Sequence, residues 1–160
     1  MTMRKLKIYF LLFTLLLSTA SIVYAKPTIT SDSKTFNIAT GEYILEGNVS
    51  IATDSRVITA GKARVNLISL EVWGSDGVNV NQSDLNFSGD TVYVNGKNST
   101  AQIDGGVDLV MDDLSIHADS VEYNWKTKTA DFSGNITLSQ NETISYFNTL
   151  QYNIETNTLF

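Results

Sequence analysis

The sequence predicts an all-β protein, an elongated stack of two-strand units that repeat with a period of 29 in residue number. Three observations carry this. Residues 45–51 read LEGNVSI and residues 132–138 read FSGNITL, three periods further along. The steps between are filled: Val49, Val78, Val107 and Ile136 form one column, and Ile51, Val80, Leu109 and Leu138 another. Within a unit the apolar period is two, as in a strand with one buried face, and no helical period runs through residues 26–160. Each unit can bury its apolar face only against its neighbours, so the repeat builds one continuous apolar interior.

Residues 1–25 read as a signal peptide. Arg4, Lys5 and Lys7 form a positive leading region, the run from Ile8 to Val23 carries no charge, and Val23-Tyr24-Ala25 is a cleavage site. The run is short of the apolar length that spans a bilayer, about 20 residues. Cleavage after Ala25 is therefore expected, with a retained anchor as the rival. Residues 26–160 then form one exported domain. The chain has no cysteine, which excludes a small fold stapled by disulfides. Removing the leader leaves 8 Lys+Arg against 17 Asp+Glu, a balance of −9. Such a surface repels phosphate backbones, and nucleic acid is not expected as a partner.

The units run 29–57, 58–86, 87–115 and 116–144, with a partial fifth from 145 to 160, giving nine or ten strands. In the first strand of the pair Tyr43, Leu45, Gly47, Val49 and Ile51 alternate with Ile44, Glu46, Asn48 and Ser50. Its counterpart in the fourth unit places Ala130, Phe132, Gly134, Ile136 and Leu138 on one face. The second strand repeats Ala63-Val65-Leu67 as Val121-Tyr123-Trp125 and Leu150-Tyr152-Ile154. Upstream of it, Ile58 and Ala60 share a face but the step from Ala60 to Ala63 breaks parity. That odd step predicts a bulge or tight corner at Gly61, Asp90, Asp119 and Asn148. Asn37, Asn66, Asn95, Asn124 and Asn153 form a column suited to left-handed backbone and to capping turns. Gly47, Gly105 and Gly134 are expected on the apolar face as kinks; Asp76 interrupts their column. Pro27, the single proline, precedes the first strand.

Catalytic and metal chemistry find no support. His117, the only histidine, points outward by the alternation, so transition metals lack ligands and no cofactor is expected. Asp112-Asp113 matches other polar turn pairs of the repeat and reads as a solvated turn rather than a calcium site. Glu46, Asp104 and Asp108 are outward carboxylates without a cleft, which disfavours a glycosidase. What remains is the interior, whose columns mix large and small side chains (Leu45, Gly74, Ile103, Phe132 in one). Two readings stand: a groove that accepts apolar guests, or a structural β-solenoid whose interior is simply core.

The order and number of the repeated phrases resemble a known family. Residues 29–33 (ITSDS), 45–51 and 57–60 (VITA) look like the start of the OstA-like domain, and residues 116–123 (IHADSVEY) and 130–136 (ADFSGNI) repeat its phrases. That domain occurs in the periplasmic lipopolysaccharide transport protein LptA and in parts of LptC and LptD. The resemblance covers nearly all of residues 26–160. It implies an open β-jelly roll, V-shaped in section, whose interior holds the acyl chains of lipid A. It also implies a non-enzymatic bridge component, joined head to tail with its own copies and with LptC-like and LptD-like partners. By position, the acyl-contacting residues would be Leu45, Val49, Ile51, Ile58, Val78, Val80, Phe87, Val107, Leu109, Ile116, Phe132, Ile136 and Leu138. An anchored LptC-like component is the variant reading if Ala25 is not cleaved. The even spacing departs from the family in lacking a long insert between early strands, which predicts a differently shaped groove.

Overall fold

The structure, a computed structural model, describes residues 27–111 and 114–160. The leader at 1–25 and the Asp112-Asp113 turn lie outside the described residues. The strands are β1 (Thr28–Thr30), β2 (Ser33–Asn37), β3 (Glu42–Ala52), β4 (Val57–Asn66), β5 (Glu71–Ser75), β6 (Val78–Gln82) and β7 (Leu85–Gly89). They continue as β8 (Thr91–Asn95), β9 (Thr100–Met111), β10 (Leu114–Asn124), β11 (Thr129–Gln140), β12 (Thr143–Asn153) and β13 (Thr158–Leu159). No helix occurs among the described residues.

Every pairing is antiparallel and joins one pass of the chain to the next. Three passes are interrupted midway and count as two strands each: β1 with β2, β5 with β6, and β7 with β8. Thus β3 pairs with β1 through Ser50–Ala52 and with β2 through Glu42–Glu46. Likewise β4 meets β6 at one end and β5 at the other. The architecture is a meander of long passes, each bent in the middle, closed by the stub β13. The bend divides every pass into two arms, and the arms stack into two walls. One wall ends at the short turns, near 53–56 and 83–84; the other ends at the asparagine turns.

The bend is a run of β-bulges at the predicted places. Between β3 and β4 the register jumps from Glu46 opposite Lys62 to Val49 opposite Ala60, so Gly47-Asn48 faces the single Gly61. Gly105-Gly106 faces Asp119 in the same way, and Gly134-Asn135 faces Asn148. Both residues of each pair are left-handed: φ is +72° and +47° at Gly47-Asn48, and +77° and +48° at Gly134-Asn135. Two successive residues at positive φ turn the strand while restoring parity, so the apolar set stays on one side of the corner.

The glycines do not face the apolar interior, contrary to expectation. A Cβ on Gly47 would strike the Asp32 side chain, on Gly105 that of Asp90, and on Gly134 that of Asp119, all exposed carboxylates of the preceding pass. This also accounts for Asp76. A Cβ on Gly61 would lie 2.6 Å from the Asp76 Cβ. Each of the four full units therefore pairs one glycine with one aspartate at its corner, and the second unit has exchanged the two. Asp76 holds φ +65° and pairs with Lys62 at 2.9 Å. Asp32 and Asp119 instead accept hydrogen bonds from Asn48 and Asn135 Nδ2, each at 2.9 Å.

The asparagine column caps turns as expected. Asn66 Oδ1 accepts from the N–H groups of Ile68 and Ser69, Asn124 from Lys126 and Thr127, and Asn153 from Glu155 and Thr156, at 3.0–3.2 Å. The left-handed backbone falls four positions later, on Gly41, Leu70, Ser99, Lys128 and Asn157, rather than on the asparagines themselves.

Between the walls lies one continuous core of buried hydrophobic side chains, with no buried polar or charged residue among those described. Full burial of a Val, Leu, Ile or Phe side chain stabilises by about 1.5–3 kcal/mol, so this core carries the stability that disulfides do not.

Candidate functional site: the space between the walls

All thirteen expected acyl-contacting positions point between the walls and are buried, from 0% exposed at Leu45, Phe87, Val107, Leu109 and Ile116 to 7% at Ile58. They are unevenly shared. Leu45 and Phe132 lie on the arm that ends at the asparagine turns, and the other eleven lie on the short-turn arm. The facing wall is completed by Val65, Val92, Ile103, Val121, Tyr123 and Leu150, also buried. Their columns were visible in the repeat; what the sequence did not supply was the fold of one wall onto the other.

The walls touch. The Phe87 ring lies 5.3 Å from the Tyr123 ring and 6.5 Å from that of Phe132, centroid to centroid, in tilted contacts that span the interior. At this level the interior is crossed by aromatic side chains of both walls.

The margins where the two walls come together have their own side chains, which the columns of the repeat do not show. Arg56, in the turn after β3, reaches across to the Trp125 ring, 4.1 Å from the guanidinium carbon to the centroid. Its Nε and Nη2 donate to Gln82 Oε1 at 3.1 and 2.9 Å. Burial pulls the Arg56 pKa below its ordinary value, and Tyr123 opposes that shift. Burial likewise pushes the Tyr123 phenol up, while Arg56 and a hydrogen bond from Gln82 pull it back. Beside this contact a notch of about 290 Å³ opens between the margins, lined by Gln82, Leu85, Met111, Tyr123, Lys128 and Ile154 among others. One signal was available in the sequence. Arg56 stands in a column with Leu85, Leu114 and Thr143, so a cation occupies a place that the next two units fill with buried leucines.

Outside the interior, His117 is exposed as expected and pairs with Asp108 at 2.8 Å across the β9–β10 ladder. No cluster of metal-ligating side chains occurs among the described residues.

A sequence profile of the family described as LptA/(LptD N-terminal domain) LPS transport protein matches residues 28–158. The chain belongs to this family. Among curated proteins, none matches. Among solved structures, the chain is similar to LptH, the LptA-homologous periplasmic component of the lipopolysaccharide transport device from Pseudomonas aeruginosa. The TM-score is 0.65 at 11% identity, over 76% of this chain and 94% of that one. At that identity the likeness speaks for the fold: the elongated all-β roll expected from the repeat is the family's roll. Membership places the protein among lipopolysaccharide transport proteins.

Proposed function

We propose that residues 26–160 form a non-enzymatic periplasmic carrier that holds the acyl chains of lipopolysaccharide between its two walls and leaves the polar head outside. The observation that carries this is the pairing of membership in a transport family with an interior lined wholly by apolar side chains. Leu45, Val49, Ile51, Ile58, Val78, Val80, Phe87, Val107, Leu109, Ile116, Phe132, Ile136 and Leu138 are the contact set we assign. Residues 1–25 serve as the cleaved export signal.

The energetics favour partial burial. One CH₂ transferred from water stabilises by about 0.8 kcal/mol, so a chain of about a dozen carbons contributes roughly 10 kcal/mol. Several chains fully buried would approach the ceiling of non-covalent affinity, about 20 kcal/mol, from which cargo is not released. Separating Phe87 from Tyr123 and Phe132 opposes binding and lowers the net gain, as a carrier requires.

The partners we assign are further rolls of the same type, including LptC-like and LptD-like proteins and a second copy of this chain, joined head to tail. Supporting this, β12 is unpaired on its outer side over Thr143–Thr149 among the described residues, and Ile144, Tyr146 and Phe147 are exposed there. An unpaired strand edge is a template for another strand.

Displacement of a fluorescent fatty-acid probe by purified lipopolysaccharide tests the carrier reading. Leu138→Asp, near the end of β11, is expected to lose stability as any buried carboxylate does and, in protein that circular dichroism shows folded, to weaken displacement at least tenfold. A folded Leu138→Asp protein that binds lipopolysaccharide like the parent removes the site. A parent that binds none leaves the structural solenoid.

A further inference from the structure

One column of the repeat runs Arg56, Leu85, Leu114, Thr143, apolar only at its two middle places. A leucine there is buried in the core. The guanidinium instead leaves its own margin and stacks on Trp125, a residue of the opposite margin, with Gln82 accepting two of its hydrogen bonds. Among the described residues no strand pairing joins the two margins, and at this level side chains hold the mouth shut. The notch lined by Leu85, Met111, Tyr123 and Ile154 lies next to it and leads towards the rings that fill the interior.

We propose that the Arg56–Trp125 contact is the latch of a side gate, whose release lets the margins part and an acyl chain enter laterally through the adjacent notch. This rests on the carrier reading above. The chemistry of the contact suits a latch. A leucine packed against Trp125 would expose apolar surface on opening, which opposes release. Arginine and glutamine return to water with every polar group satisfied, so opening leaves no unpaired buried group. A partly desolvated cation–π contact with hydrogen-bond support is strong enough to bias a two-state mouth and weak enough to open thermally. Lateral entrance also suits a cargo whose bulky polar head must stay outside while its chains go in.

The chain has no native cysteine, so the gate can be clamped cleanly. Arg56→Cys with Trp125→Cys, bridged by a bis-maleimide that carries a central disulfide, holds the margins together; the same variant capped with N-ethylmaleimide is the control. Lipopolysaccharide uptake, read by displacement of the fatty-acid probe, is expected to slow at least tenfold in the bridged protein and to recover when the linker is reduced. Arg56→Gln in the otherwise native chain is expected to take up lipopolysaccharide about tenfold faster, with Arg56→Lys in between. Bridged protein that loads as fast as the capped control overturns the latch while leaving the carrier reading in place, as does an Arg56→Gln protein with the parent's rate. Failure of the capped control and the parent alike to bind lipopolysaccharide overturns both.

Discussion

The middle and the end of the stack are written in the same register yet differ in what their side chains meet. Ala118 is fully buried, whereas Phe147, its counterpart in the next unit, is 38% exposed. Nothing in the local pattern separates them; the difference is that no strand among the described residues pairs beyond Phe147 on the outer side of β12. Even within β12 the two arms diverge. Leu150 and Tyr152 are buried because β13 pairs with the last residues of the strand and Phe160 exchanges backbone hydrogen bonds with Gln151. The arm from Thr143 to Thr149 has no such cover, and Tyr146 is 76% exposed. The lesson is that a repeat determines which face is apolar, while the neighbouring pass determines where that face becomes core. The β12 edge is therefore open on one wall and closed on the other, which restricts any strand added there to the open wall.

The contrast breaks most sharply on substitution by aspartate. Ile116→Asp places an unpaired carboxylate in the fully buried middle, expected to destabilise by about 4 kcal/mol or more, a large part of the total for a domain of this size. Phe147→Asp, on the open arm, is expected to stay within about 0.5 kcal/mol of the parent by urea titration. Light scattering over a concentration series should show the same variant losing whatever head-to-tail species the parent forms. Equal destabilisation at both positions would mean that the end is as closed as the middle.

A second test bears on the corners. Gly61→Asp alone forces two aspartates together and is expected to destabilise by about 2 kcal/mol. Adding Asp76→Gly restores the arrangement of the other units and should recover most of that loss, a coupling above about 1 kcal/mol in a double-mutant cycle. Only the exposed Lys62–Asp76 pair is given up, and such pairs contribute about 0–1 kcal/mol. Additive effects would show that the exchange of glycine and aspartate between columns is incidental.

The parts legible in the sequence are those fixed by neighbours along the chain or one pass away. The strand faces, the corners at Gly61, Asp90, Asp119 and Asn148, and the turn-capping asparagines all follow from parity and from side-chain hydrogen bonding over two or three positions. The orientation of Gly47, Gly105 and Gly134 was misread because two left-handed residues in succession rotate the glycine towards the preceding pass. The closed mouth was not legible at all. Arg56 and Trp125 meet only because the bend folds one wall over the other, and column analysis compares residues within a wall.

The central claim is that cargo lies between the walls, and neighbouring residues of β11 test it most directly. A photoreactive benzoyl-phenylalanine at Leu138 faces the interior, while one at Thr137, paired with the exposed His117, faces out. Irradiation in the presence of lipopolysaccharide is predicted to give an adduct at Leu138 and none at Thr137. Labelling at Thr137 as strong as at Leu138, in protein that binds lipopolysaccharide, would contradict it.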